Sequence, residues 1–193
     1  MLALLAAGQS RRFGDQDKLT ALLGGKMLGL HAAEAGAAIH CPQKRVIGPP
    51  AHGCARRWND LGYRIIVNEQ AHLGQATSVR LAASHAIEAG ARALYIMLAD
   101  MPFVTADHIN RLLAIFEQMG CTRTIASARD GQAMPPAIFP NSALNDLLTL
   151  EGDSGARALL SDAHLVTADD PILMDIDSEE DLAQANIIYR AIP

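Results

Sequence analysis

The sequence predicts a single-domain α/β protein, a Rossmann-like three-layer αβα sandwich around a mainly parallel sheet. Short apolar runs alternate with longer helical patterns along the whole chain, the arrangement of successive βαβ units. The length, 193 residues, is one domain's worth and enough to bury a core without disulfide or metal staples. Half the residues are hydrophobic and 19% are charged, a globular composition. No apolar run reaches the roughly 18 residues that span a bilayer, and a net charge of -5 opposes general affinity for nucleic acid or an anionic membrane. One unit over residues 1–193 is expected, with no repeats and no linker long enough to divide it.

The first strand is read at Leu2–Leu5. Met1–Ala7 is apolar, but its basic pair, Arg11 and Arg12, follows the run instead of preceding it, so the segment reads as a buried strand and not a signal peptide. A polar, Arg-rich loop follows from Gly8 to Lys18, and Lys18 is expected to be an exposed loop lysine of little weight for stability. Met27–Ile39 is Ala-rich and ends before Cys41-Pro42, which marks a helix boundary. Lys44–Ile47 and Arg64–Val67 read as strands, with a helix over Ala55–Leu61 between them. Gln75–Ala89 has helical spacing and is closed by Gly90. Ala93–Leu98 is the clearest buried strand, and Thr105 caps a helix over Ala106–Met119, with Asp107 in its first turn. The remainder reads as a strand over Thr124–Ala128, a loop over Gly131–Pro136, a short strand over Ala137–Phe139, a helix near Gly155–Leu160, a strand over Leu173–Ile176 and a last helix over Glu179–Tyr189.

The first βα loop carries the most chemistry: Leu5-Ala6-Ala7-Gly8-Gln9-Ser10-Arg11-Arg12-Phe13-Gly14, with Lys18 beyond it. Small residues let the backbone approach a ligand, successive N–H groups can cradle phosphates, and Arg12 and Lys18 add local positive charge. The pattern is neither of the usual nucleotide fingerprints, and an ordinary glycine turn with solvated arginines is the alternative. Asp100 stands where a buried strand opens into a loop, the edge at which open α/β sheets place ligands. A carboxylate there suits Mg²⁺, which takes one or two carboxylates and otherwise binds water and substrate phosphates; the alternative is a turn before Met101-Pro102. Asp177 is read at another strand end, as a second metal ligand or as the cap of the last helix. Gly74, Thr77 and Ser78 open a helix, where they either face a base and ribose or simply start the helix. Three distant cysteines, without the paired spacing of a zinc or redox site, fit a reduced cytoplasmic protein, and the seven histidines lack metal-binding spacing and read as surface or packing residues.

Leu5–Gly14 with Lys18 resembles the L-A-A-G-x-S-x-R-[MF]-G…K signature of nucleotidyltransferases of the molybdenum cofactor cytidylyltransferase type and their guanylyltransferase relatives. Further segments resemble that family in order: Gly74–Arg80, Leu98–Pro102, Pro135–Phe139, Gly152–Arg157 and Asp175–Leu182. The likeness covers essentially the entire chain. Ala99 stands where the family usually has Gly, a one-methyl change that is tolerated unless the backbone needs positive φ. The interval from Gly14 to Lys18, with Asp17 before the lysine, is similar to the guanylyl branch.

The resemblance implies Mg²⁺-dependent transfer of a nucleotide, by preference CMP from CTP, to a phosphorylated acceptor of the molybdopterin type, releasing pyrophosphate. It gives catalytic roles to Arg12, Lys18 and Asp100, nucleotide binding to Leu5, Ala6, Ala7, Gly8, Ser10, Gly14, Gly74, Thr77 and Ser78, metal binding to Asp100 and Asp177, and the acceptor side to Asp153 and Arg157. Ala7 carries the choice of base, because cytidylyl members resemble this Ala whereas guanylyl members have Gly there. The alternatives are a guanylyltransferase, a sugar-phosphate nucleotidyltransferase, or a non-catalytic nucleotide-binding maturation factor for a molybdenum hydroxylase partner.

Overall fold

The computed structural model describes residues 1–8, 13, 17–152 and 157–191, with the side chains of Arg157 and Ala158 outside that description. The elements are β1 (Leu2–Leu5), β2 (Leu22–Leu23), β3 (Lys26–Met27), α1 (Leu28–Ala38), β4 (Lys44–Gly48), α2 (Ala55–Asp60), β5 (Tyr63–Val67), α3 (Gln75–Glu88), β6 (Ala93–Leu98), α4 (Ala106–Gln118), β7 (Ile125–Arg129), β8 (Gln132–Pro140), α5 (Leu144–Leu147), β9 (His164–Thr167) and α6 (Glu179–Ala191). Seven strands form one sheet in the order β5-β4-β1-β6-β8-β7-β9. The pairs from β5 to β6 are parallel, β8 runs antiparallel to both its neighbours, and β9 pairs parallel with β7.

Alternation along β1 assigns the two faces. Leu2 and Leu4 pack with Trp58 of α2, with Ile109, Leu112 and Phe116 of α4 and with Ala185 of α6. Ala3 and Leu5 pack on the other side with Ala76, Val79, Ala82 and Ala83 of α3 and with Leu144 and Leu147 of α5. The period-2 pleat thus turns one four-residue run toward two cores. Helix α1 lies close against its neighbours: a Cβ on Gly36 would collide with the Tyr63 hydroxyl, which donates to Ala33 O at 2.9 Å. Thr105 caps α4 as its sequence position predicts, its hydroxyl accepting from the His108 N–H at 3.1 Å.

The C-terminal third departs from the sequence reading. The expected loop over Gly131–Pro136 is largely strand, because Asp130 and Gly131 (φ 52° and 74°) make a two-residue hairpin turn from β7 into β8. The register passes from Ala126↔Ala137 directly to Ser127↔Met134, so Pro135 and Pro136, which have no N–H to donate, stand outside the ladder. Ser127 reinforces the bulge by donating to Pro136 O at 2.8 Å. Leu173–Ile176, expected as a strand, pairs with none: it is an irregular strap whose Leu173 and Ile176 are buried, held by a bond from Ile176 N–H to Asp100 O at 3.0 Å. The strand at this end of the chain is β9, an edge strand with only Val166 buried. A second hairpin, β2–β3, turns at Gly24-Gly25 (φ 58° and 82°) and receives α6: Asn186 Oδ1 accepts from Gly24 N–H at 3.1 Å, and a Cβ on Gly24 would run into the Tyr189 ring.

Candidate active site

β1 is flanked by β4, which follows it, and by β6, which arrives from the opposite direction along the sheet, so the chain reverses its winding at the C-terminal end of β1. Such a switch point opens a crevice beyond the strand ends. The loop after β1 begins there, with Ala6 N–H bonded to Ile47 O at 2.8 Å and Ala99 N–H bonded to Leu5 O at 3.0 Å. Leu5 and Ala6 are buried, Ala7 is half-buried and Gly8 is exposed, so the chain emerges into solvent across these four residues. Phe13 returns to the core, 3% exposed, and anchors the far side of the loop. Ser10, Arg12 and Gly14 lie outside the described residues.

Lys18 is the centre of the arrangement. Asp17 starts the 3-10 turn Lys18–Thr20 by accepting from Leu19 N–H at 3.0 Å, and the Lys18 side chain enters the crevice. Its ammonium donates to Asp100 Oδ2 at 2.8 Å, Asp177 Oδ1 at 2.8 Å and Ile176 O at 2.9 Å, using all three of its protons. It is not the exposed loop lysine expected from the sequence: its side chain is 7% accessible, against 21% for Asp100 and 49% for Asp177. Burial by itself would lower the ammonium pKa, but the two carboxylates outweigh it and hold Lys18 above its ordinary value. Burial pushes the Asp100 carboxyl up, and Lys18 draws it part of the way back.

Asp100 lies two residues beyond the end of β6. Ala99, standing for the family's Gly, is not among the residues of positive φ, so the added methyl meets no backbone strain. Asp177 stands one residue before the capping pair of α6 and is not itself the cap: Asp181 Oδ2 accepts from Asp177 N–H, Ser178 N–H and the Ser178 hydroxyl at 3.0, 2.8 and 2.9 Å, while Asp181 N–H donates back to Ser178 Oγ at 3.1 Å. This reciprocal box leaves the Asp177 carboxylate free to face Lys18. Ser178-x-x-Asp181 before a helical pattern is the sequence signal that could have identified it.

The other expected site residues are placed differently. The hydroxyls of Thr77 and Ser78 are buried and receive bonds from Asn68 Nδ2 at 2.9 and 2.8 Å, and Thr77 also donates to Gly74 O at 2.8 Å. They tie the end of β5 to the start of α3. Gly74 opens α3 with φ +108°, a conformation that L side chains rarely adopt. Ala76 N–H bonds to Gly152 O at 3.2 Å, bringing the start of α3 beside the segment that leads to Asp153. Asp153 lies outside the described residues, and Arg157 opens a 3-10 turn, Arg157–Leu160. His31 and His108 are packing residues, bonded to Leu23 O at 3.1 Å and Ser127 Oγ at 2.8 Å. Sequence reasoning did not find His52, whose Nε2 lies 2.7 Å from Asp17 Oδ2 while its ring stacks on Trp58 at 4.6 Å.

Among the described residues no three His, Cys, Asp or Glu side chains gather as a metal site. Asp100 Oδ1 is nevertheless buried without a hydrogen-bond partner among the described residues. A buried carboxylate oxygen left unpaired, beside a second carboxylate at the mouth of a crevice, fits a hard divalent cation that completes its shell with water and substrate phosphate.

A mostly parallel sheet with helices on both faces is the architecture of the α/β nucleotidyltransferases. Residues 2–168 match the family described as MobA-like NTP transferase domain, and the chain belongs to that family. It is an enzyme of the nucleotidyltransferase class. The chain is 31% identical to purine catabolism protein PucB of Bacillus subtilis over 92% of this chain and 91% of that protein. It is 30% identical to the molybdenum cofactor guanylyltransferase of Cereibacter sphaeroides over 97% of this chain and 95% of that one. The fold is shared with the Rv0371c homologue from Mycobacterium sp. strain JC1, with a TM-score of 0.80 and 23% identity over 100% of this chain and 97% of that one. It is shared too with the manganese complex of Rv0371c from Mycobacterium tuberculosis, at a TM-score of 0.73 and 20% identity over 96% and 97% of the two chains. Asp177 lies beyond the span that the family model matches.

Proposed function

We propose that this chain transfers CMP from CTP to a phosphorylated acceptor, a molybdopterin-type molybdenum cofactor, and releases pyrophosphate. The observation that carries the chemistry is the buried Lys18 ammonium shared by Asp100 and Asp177 at the sheet's switch point. An acceptor phosphate oxygen attacks the α-phosphorus of the nucleotide; a new P–O bond forms as the bond to the departing pyrophosphate breaks, and the electron pair leaves with the pyrophosphate oxygen. The nucleophile is already anionic and needs no general base, and His31 and His108 are committed to packing. What the site must supply is position and positive charge. Asp100 and Asp177 would hold Mg²⁺, which when bound neutralises charge on the triphosphate. Lys18 and Arg12 would add cationic contacts to the same oxygens, and the backbone from Leu5 to Gly14 would line the phosphates. Gly74 would be the nucleotide-side contact of α3, with Thr77 and Ser78 supporting it from within, and Asp153 and Arg157 would face the acceptor.

Recipients of the product would include a molybdenum hydroxylase partner, in the reducing cytoplasm where three unpaired cysteines persist. Among the described residues no helix is long and apolar enough to cross a membrane. Base choice rests on Ala7: its Cβ leaves room for a pyrimidine and crowds a purine. The guanylyl reading is favoured by the name of the Cereibacter relative. Comparing kcat/KM for CTP and GTP with one acceptor, in the native protein and in Ala7→Gly, decides between them. A preference for CTP that Ala7→Gly relaxes by roughly 10- to 200-fold is expected from one methyl group; native preference for GTP would reverse the assignment.

A further inference from the structure

We infer that Lys18 competes with the divalent cation for Asp100 and Asp177, so that the protein without nucleotide holds metal alone weakly. The inference rests on the metal site proposed above and adds a resident cation that a metal must displace. All three protons of the Lys18 ammonium are engaged, two of them by the carboxylates that would ligate the metal. A divalent ion docking on Asp100 Oδ1, the unpaired buried oxygen, would share that carboxylate with the ammonium bound to Oδ2 and be repelled by it. If the ammonium withdraws, its one remaining partner among the described residues is the neutral Ile176 carbonyl, in a pocket where the side chain is 7% exposed. Either course penalises metal binding, and the penalty falls when an anionic ligand such as nucleotide phosphate offers Lys18 a new partner. By linkage, metal and nucleotide then favour each other's binding through Lys18.

The test is Mn²⁺ binding in the absence of nucleotide, read from the loss of the free-ion electron paramagnetic resonance signal, for the native protein, Lys18→Met and Lys18→Met/Asp100→Asn. Lys18→Met is expected to bind Mn²⁺ at least about tenfold more tightly than native, and equal or weaker binding overturns the competition. If Lys18→Met binds tightly and the double variant binds just as tightly, the metal is not on Asp100 and the proposed metal site fails, with the competition resting on it. Trace acetylation of the native protein gives a second readout that needs no variant. The chain has three lysines, Lys18, Lys26 and Lys44, so Lys18 labelling can be referred to Lys44 by mass spectrometry. Labelling of Lys18 should rise several-fold as Mn²⁺ is added without nucleotide to the point where the free-ion signal shows the site filled; labelling that falls on filling would mean that the ion shields the ammonium instead of competing with it, and overturns the proposal.

Discussion

The two carboxylates that share the Lys18 ammonium are held by regions of opposite character. Asp100 extends from β6, whose residues Leu94, Tyr95, Ile96 and Met97 are buried and which is hydrogen-bonded on both edges, to β1 and β8. Asp177 hangs from an irregular strap that pairs with no strand and is held by a backbone bond to Asp100 O, side-chain bonds from Lys18 to Ile176 O and from Arg129 to Leu173 O, the buried side chains of Leu173 and Ile176, and the Ser178–Asp181 box. A carboxylate on a sheet is placed by many cooperative bonds, whereas one on a strap is placed by a few local ones. The first should therefore carry the chemistry and resist perturbation, and the second should be open to adjustment through its supports.

The largest effect is expected at Asp100. Asp100→Asn keeps the size and removes the charge, and turnover should fall by roughly two to three orders of magnitude in a protein that still folds. The matched change Asp177→Asn, at a half-exposed side chain, should cost about tenfold. Equal losses in kcat for the two variants would erase the distinction between the regions.

Lys18→Ala joins both regions in one experiment. It leaves two carboxylates facing each other without their cation, and the loss of stability should lie below the roughly 3–5 kcal/mol of a fully buried pair because Asp177 is half exposed. Thermal unfolding should show a fall in Tm of several degrees. An unchanged Tm would mean that the ammonium is not held as described. A smaller effect follows from the strap's support. Asp181→Ala removes the acceptor for Asp177 N–H, Ser178 N–H and the Ser178 hydroxyl, and should cost about 1 kcal/mol by denaturant unfolding while lowering kcat as Asp177→Asn does. Loss of stability with full turnover would free Asp177 from any dependence on the strap.

The smallest effect is in acid. The bonds from Ser178 hold the Asp181 carboxyl below its ordinary value of 3.8, outweighing the upward push of burial, and the contact with His52 does the same for Asp17. A carboxyl whose folded pKa is depressed contributes stability above its unfolded pKa and loses it as pH falls through the folded value. The stability that these two carboxyls contribute should therefore be lost below about pH 4, and the acid decline should be shallower in Asp181→Ala. Parallel acid limbs in the two proteins would show that Asp181 is not a source of that stability.

The sheet-borne region was legible because its signals are local. Ala93–Leu98 is a continuous apolar run of strand length, and Asp100 follows it in a position that any open α/β sheet would make a ligand edge. The C-terminal region was misread where local signals conflict. Pro135-Pro136 argued against strand, although Asp130-Gly131 is a hairpin signal that pointed the other way. Leu173–Ile176 is as apolar as a strand but is buried by packing, without a ladder. The reciprocal box at Ser178 and Asp181 was readable, and taking it as the cap would have freed Asp177 at once. Lys18 reads from sequence as a solvated residue because nothing in its neighbourhood, between Asp17 and Leu19, tells which distant side chains meet it.

By itself the sequence determined the alternating strands and helices, the loop after β1 and the carboxylate after β6, since apolar periodicity, turn residues and small-residue loops act over a few neighbouring positions. Tertiary structure alone decided that Lys18 is buried, that its ammonium is divided between Asp100 and Asp177, and that a strap and not a strand delivers the second carboxylate. Those contacts join residues 82 and 159 positions apart. No local pattern specifies such a meeting, because it depends on the switch in strand order bringing the end of β6 beside the loop from β1, and on α6 docking against the β2–β3 hairpin to hold the strap across both.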